Sequence, residues 1–357
     1  MSSIWGNRIK IAVFGESHGK SIGVVLDGIP AGIKLDFDVI SRYMQRRSPG
    51  KNDFSTGRAE TDIPEIQSGI LNGITTGTPI CAIIENNSQH SSDYADIKNA
   101  PRPGHADYTA YVKYNGFTDM RGGGHFSGRL TAPIVFAGAV CMQVLKEQGV
   151  EIGAHISQIA GINDEPFSPV NIDLSLINEL KTEDFPCISE KVATEMKDAI
   201  KTAKERGNSV GGVIECAVVG LKAGVGSPLF NSIESAISSL VFSVPAVKGI
   251  EFGAGFDIAR MKGTESNDSF YIENGVIKTK TNNNGGILGG ISNGMPIVFR
   301  TAIKPTASIF TEQETVNLET LENCKIKITG RHDPCIVPRA VPVIEAAAAI
   351  AILDLML

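Results

Sequence analysis

The chain is organised around Arg121–Gly149, RGGGHFSGRLTAPIVFAGAVCMQVLKEQG. Three consecutive glycines give way to Ser127-Gly128-Arg129, and an almost unbroken apolar run follows. Glycine has no Cβ, so a loop of this kind can bring bare backbone close to an anionic or planar ligand. The apolar run predicts a buried helix, because no polar stripe is left to face water. Two readings of the glycines stay open on these residues alone: a tight turn into a core helix, or a ligand-binding loop. Other segments rich in Gly, His, Arg, Ser and Asp favour the second.

A chain of 357 residues with 42% hydrophobic content can build a sizeable core in one large domain or two ordinary ones. Lys and Arg number 33 against 39 Asp and Glu, a net charge of −6 that opposes nucleic acid or an anionic membrane as the main partner. Any anion site must therefore be a local cluster. The six cysteines lie far apart without a CxxC pair or a signal peptide ahead of them, which predicts reduced, buried thiols in the cytoplasm. The run Val341–Leu357 carries Glu345 and Asp354, so it is expected to be a buried helix, and no transmembrane segment is expected.

Toward the N-terminus, Arg8–Phe14 alternates like a strand and ends in Gly15-Glu16-Ser17-His18-Gly19-Lys20-Ser21. A P-loop needs four residues between its first glycine and Gly-Lys-Ser, followed by a helix. Here three intervene and Ile22–Leu26 reads as a strand, leaving Ser17 and His18 at a sharp bend with an imidazole able to titrate near neutral pH. A helix is expected over Leu35–Arg47 behind the N-cap Asp36. Its end is basic, with Arg42, Arg46, Arg47, Lys51 and Arg58 around Pro49-Gly50. One or two cations there balance the helix dipole, whereas five suggest a phosphate or nucleotide.

Ile66–Ile70 and Pro79–Glu85 read as strands, and the long polar loop Asn86–Gly104 is of the kind that binds something. It closes with Pro101-Arg102-Pro103-Gly104-His105-Ala106-Asp107 before a helical Tyr108–Tyr114, so His105 is either part of a cap or an acid–base group. Farther on, strands are expected at Val150–Ile159, Val210–Val219 and Lys248–Phe252, and helices at Ser189–Arg206 and Asn231–Phe242. Asn274-Gly275 marks a hairpin, while Ile162–Cys187 carries no signal. Five glycines in Asn282–Gly294 precede a strand at Pro296–Ile303 and then Lys304-Pro305-Thr306-Ala307-Ser308, which suits a phosphate or ring carbonyl, or a plain turn. Gly73–Ile80 and Gly290–Ile297 share G-I-x-x-G-x-P-I, a hint of internal duplication. Finally, Gly330-Arg331-His332-Asp333-Pro334-Cys335 leads into Arg339 and the terminal helix, a charged run that is costly to desolvate without a partner.

Seven ordered blocks, FGESHGKSIGVVLDGIP, RPGHADYTAYVKY, RGGGHFSGRLTA, AVKGIEFGAGF, NGGILGGISNGMPI, KPTASI and GRHDPCIVPRAVPVIEAAAAI, resemble the chorismate synthase family over nearly the whole chain. The resemblance implies a single large α+β domain over residues 1–357, with helices sandwiched between β-sheets, and two related halves meeting near 150–210. It also implies a homotetramer. The implied reaction is 1,4-anti elimination of phosphate from 5-enolpyruvylshikimate 3-phosphate to give chorismate, a lyase step of aromatic amino acid biosynthesis. Reduced FMN is required although there is no net redox change. NADPH, a separate flavin reductase or anaerobic conditions would supply the reduced flavin, and no metal is implied.

Carried over residue by residue, the resemblance makes His18 the general acid on the leaving oxygen and His105 the proton donor to the reduced flavin. Asp333, with Ser17 and Ser127 as relays, helps take up the C6 proton through flavin N5. Flavin contacts fall on His125, Phe126, Ser127, Pro245, Ala246, Gly289, Lys304, Pro305, Thr306, Ala307, Ser308 and Arg331. Arg46, Arg47, Arg102, Arg129 and Arg331 are the forks for substrate phosphate or NADP.

Overall fold

The computed structural model describes residues 3–50, 61–86, 99–119, 121–328 and 332–357. Two helices, Thr131–Glu147 and Val337–Met356, pack against each other at the centre of the fold. Every residue from Thr131 to Leu145 except Gln143 is buried. The helices cross so closely that a Cβ on Gly138 would lie 2.2 Å from the Ala346 methyl, which explains a glycine inside an otherwise continuous apolar helix. The segment Gly128–Glu147 is long and apolar enough to cross a bilayer, yet 89% of that window is buried inside the protein. It is a core helix.

The terminal helix is buried along its length, so its two carboxylates require partners. Glu345 accepts from the Arg46 guanidinium at 2.6 Å and from the Ala154 amide at 2.9 Å. Asp354 Oδ1 accepts the successive amides of Asn7, Arg8 and Ile9 at 3.0, 2.6 and 2.8 Å, fastening the start of the chain to its end.

A five-stranded antiparallel sheet lies on each side of the helical layer. The first runs in the order Ile4–Trp5, Lys10–Gly15, Ser21–Asp27, Ile80–Glu85, Glu65–Ser68. The second runs Ile162–Asn163, Glu151–Ile159, Gly212–Val219, Ile297–Ile303, Val247–Phe252. The helix Thr131–Glu147 touches strands of both sheets, the terminal helix rests on the second, and Phe37–Arg47 and Ile233–Val241 complete the layer. The architecture is α+β, with helices between sheets.

The sheets also repeat each other in detail. Each G-I-x-x-G-x-P-I segment forms the second half of a tiny hairpin, Ile70–Leu71 with Ile74–Thr75 and Ile287–Leu288 with Ile291–Ser292, and each then enters the fourth strand as ordered above. Thr75 Oγ1 accepts from the Ile33 amide and donates to the Pro30 carbonyl; Ser292 Oγ does the same with Val225 and Lys222. A hydroxyl thus plays the same part beside each sheet, filling one donor and one acceptor of its loop. The first set of elements ends with Thr131–Glu147 and the second begins with Glu151–Ile159.

Several local expectations have direct counterparts. Asp36 Oδ1 caps its helix by accepting from Asp38 and Val39 amides at 2.9 and 3.2 Å. Lys10–Gly15 and Ser21–Asp27 pair antiparallel with Gly15 opposite Ile22, so the Gly-Lys-Ser segment joins two strands and is not a P-loop. Asn274 and Gly275 both adopt positive φ, 51° and 77°, at the hairpin tip. Within the stretch that carried no signal lies a helix, Leu174–Leu180, capped by Asp173.

Candidate active site

Loops joining elements of both sheets converge on a cavity of about 980 Å³. The glycine loop Gly122–Gly124 borders it. An ideal Cβ on Gly122, at φ +66°, would stand 2.3 Å from His18 Cδ2 and 3.0 Å from Ser17 Oγ. One on Gly123, at φ +128°, would stand 3.4 Å from His105 Cε1 and Nε2. Two adjacent glycines therefore lie against two imidazoles 87 positions apart in the chain, and their missing side chains let both rings approach the loop. The loop is held by the Ser17 amide donating to Gly124 O at 3.1 Å and by an Arg121–Asp119 ion pair at 2.7 Å. Arg121 bonded to it holds the Asp119 carboxyl below the usual range.

His105 sits in a second built unit. Its Nδ1 is 2.5 Å from Asp107 Oδ1, and Arg102 grips the same carboxylate through Nε and Nη2, both at 2.7 Å. Burial raises the Asp107 carboxyl's pKa, but the hydrogen bonds from Arg102 and His105 outweigh it and hold the group far below the usual range. Arg102 Nη1 reaches Ser308 Oγ at 3.4 Å. Arg102, a candidate phosphate fork, lines the cavity, and the same guanidinium buttresses Asp107.

Arg47 and Arg129 line the same space and share one carboxylate, Asp62, whose side chain is fully buried. Arg47 Nη1 donates to Asp62 at 2.5 Å, and Arg129 Nη1 donates to its other oxygen. Arg47 is steadied further by Thr131 Oγ1 and Gly128 O, and Arg129 by Asn86 Oδ1 and Glu85 O. Burial opposes ionisation of Asp62, but the two guanidinium groups win and lower its pKa. Arg46 is a correction. One residue along the helix means a rotation of roughly 100°, so Arg46 turns into the core to pair with Glu345 and does not line the cavity. Arg42 is exposed, and Lys51 and Arg58 lie outside the described residues.

Asp333 lines the cavity and is paired with Arg339, whose Nε donates to Arg47 O at 2.9 Å. Arg331 lies outside the described residues. The wall nearest His105 is formed by Pro245–Lys248 and Lys304–Ser308, joined where the Lys304 amide donates to Ala246 O at 2.9 Å. Ala246 is held at φ +73°, a conformation that costs a non-glycine residue roughly 1–2 kcal/mol. Lys304 Nζ donates to Gly104 O at 2.5 Å, and burial together with Lys248 lowers its pKa.

His125, Phe126 and Ser127 all line the cavity. His125 Nδ1 lies 2.8 Å from Gly15 O, and a carbonyl can only accept, so this nitrogen carries the proton. Ser127 Oγ accepts from the Arg129 amide at 3.2 Å and so caps the turn that delivers that arginine. Gly289, another expected flavin contact, lies apart from this cavity. It is the exposed tip of the hairpin Ile287–Ser292.

Asp62, Asp107 and Lys248 escaped the sequence reading. Asp107 had a signal, since it stands two residues after His105 at the start of a helix, but that position reads equally as an ordinary cap. Asp62 had none. Among the described residues no group of three or more His, Cys, Asp or Glu could hold a metal ion.

Fold and cavity together define an enzyme-like α+β protein in which four imidazoles, the Asp333 carboxylate and several guanidinium groups line one cavity. Residues 9–357 match the family model described as chorismate synthase. The chain is 45% identical over 357 residues to a chorismate synthase of Dehalococcoides mccartyi, covering 100% of this chain and 97% of that one. It is 46% identical over 352 residues to one of Pyrococcus abyssi, covering 99% and 97%. A solved structure described as the crystal structure of chorismate synthase superposes with a TM-score of 0.77 at 30% identity, covering 99% of this chain and 92% of that one. The chain belongs to the chorismate synthase family.

Proposed function

We propose that this protein converts 5-enolpyruvylshikimate 3-phosphate to chorismate by 1,4-anti elimination of phosphate, with reduced FMN bound beside the substrate. The observation that carries the reading is that His18, His105 and Asp333, together with Arg47 and Arg129, line one cavity although the sequence scatters them. About 980 Å³ is at the upper end of single-ligand pockets, as a site shared by a flavin and a phosphorylated ring requires. The flavin fits the donors available: cationic Lys304 and Lys248, the hydroxyls of Thr306 and Ser308, and the ring of Phe126 all border the cavity. Once bound, the reduced flavin supplies electron density to an otherwise difficult elimination.

The protein's own groups perform the rest. Arg47 and Arg129, pre-aligned by Asp62, grip the phosphate and take up charge as the carbon–oxygen bond breaks. His18, buried beside Gly122, gives its proton to the departing phosphate oxygen. His105 is the acid facing the flavin side, and Asp333, backed by Arg339, is the carboxylate toward which the proton lost from the ring moves. Ser17 and Ser127 border the path as relays. Arg46 takes no part in holding NADP, because Glu345 occupies it. Reducing equivalents come from NADPH or from a separate reductase.

The test is anaerobic incubation with chemically reduced FMN and the substrate. Chorismate and phosphate should appear in equal amounts while the flavin stays reduced. Phosphate release without chorismate, or flavin oxidation matched to product, rejects the reading. A homotetramer is part of the same proposal. The hairpin Phe270–Thr279 exposes Phe270, Ile272 and Ile277, an apolar face suited to a second copy. Light scattering should give about four times 37.9 kDa, and a monomer at micromolar concentration rejects that part.

A further inference from the structure

The Arg102–Asp107–His105 unit carries an inference that rests on the proposed acid role of His105 and deepens it. At 2.5 Å, His105 Nδ1 and Asp107 Oδ1 cannot face each other as two lone pairs, so a proton lies between them. Asp107 is held ionised by two guanidinium hydrogen bonds, which leaves the proton on the imidazole. The Arg102 Nη2 atom 3.0 Å from the same Nδ1 is a donor as well, so its hydrogens go to the carboxylate. That leaves Nε2 beside Gly123 and open to the cavity.

We propose that Asp107, buttressed by Arg102, is the positioning residue that fixes the tautomer of His105, so that Nε2 alone exchanges a proton with the cavity. Other titratable groups border the same cavity, among them His18, His125, His332, Lys248, Lys304 and the Asp333–Arg339 pair. Substitution at 102 or 107 leaves them in place, so a change in the His105 tautomer reports this unit.

A fixed tautomer is a readout that a merely structural cap would not move. Asp107→Ala removes the acceptor and should release the neutral ring into a mixture of tautomers, whereas Asp107→Glu offers a carboxylate again and should restore the Nδ1–H form. Arg102→Gln loosens the carboxylate and should lose that form in part. The experiment is nitrogen NMR of the full chain labelled at the histidine ring nitrogens, at alkaline pH. Its six histidines are few enough for His105 to be assigned by its loss in His105→Gln. It needs neither flavin nor substrate, so a failure of the proposed reaction would not disturb it. A wild-type ring that carries its proton on Nε2, or an Nδ1–H form that survives Asp107→Ala while thermal stability falls, would make Asp107 a helix cap only and overturn the proposal.

Discussion

Gly122→Ala probes the site most sharply, because the structure specifies both what the added methyl meets and what it leaves alone. The new Cβ would begin 2.3 Å from His18 Cδ2 and 2.5 Å from Nε2, whereas carbon contacts settle at about 3.5–4.0 Å. Either the loop or the imidazole must therefore move by more than about 1 Å, and displacements of that size at a reacting group cost on the order of 10²-fold in rate. At about 1.36 kcal/mol per factor of ten, this is roughly 2.7 kcal/mol of lost transition-state stabilisation. The φ of +66° adds a stability penalty of about 1–2 kcal/mol, visible in a melting curve. Gly161→Ala supplies the control, since Gly161 has φ +85° with nothing within 4 Å. It should lose comparable stability and keep its rate. Anaerobic steady-state turnover of both variants decides the matter, and a folded Gly122→Ala enzyme with a near wild-type kcat would refute the idea that the glycine loop seats His18.

Further outcomes follow from the same geometry. His18→Ala and His105→Ala should each lower turnover by about 10²-fold or more while thermal stability changes little; a wild-type rate in either removes that residue from the chemistry. Arg46→Ala leaves Glu345 charged and fully buried, so denaturant unfolding should show a loss of about 3–5 kcal/mol, and the fraction still folded should keep its substrate KM. A raised KM there would return Arg46 to the ligand. Burial works against charge on His155, but Asp164 at 3.2 Å and Glu215 at 3.0 Å outweigh it and raise its pKa above the ordinary 6.5. Its contribution is therefore complete below about pH 6.5 and lost as pH rises through the elevated native value. The stability gap between wild type and His155→Gln should narrow over that interval, and a gap that widens with pH contradicts the assignment.

The sequence made the fold legible wherever local chemistry and burial agreed. Asp36 announces its helix because capping is a short-range event. Asn274-Gly275 announces a hairpin because both positions need positive φ. The terminal helix could be read as buried because its carboxylates are sparse, although nothing local said that Asp354 would gather three amides from the other end of the chain. The helix Leu174–Leu180 stayed hidden because only Ile177 and Leu180 face the core, too few for a period to show.

The site was legible as residue types and hidden as partnerships. His18, His105 and the cationic clusters stood out, but which arginines are spent on carboxylates is a property of the tertiary structure. Arg46 and Arg47 are adjacent in sequence and opposite in role because a helix turns roughly 100° between them. Asp62 and Asp107 decide how Arg47, Arg129 and Arg102 are used, and both lie in segments where a lone Asp looks like any polar loop residue.

The central claim is that one cavity takes the flavin and the phosphorylated ring together. A crystal structure of the full chain with oxidised FMN and substrate tests it most directly. The account predicts the isoalloxazine between Phe126 and the Lys304–Ser308 wall, the phosphate against Arg47 and Arg129, and the His18 imidazole within hydrogen-bond reach of the leaving oxygen. Clear density for either ligand elsewhere, with this cavity holding only water, would contradict it.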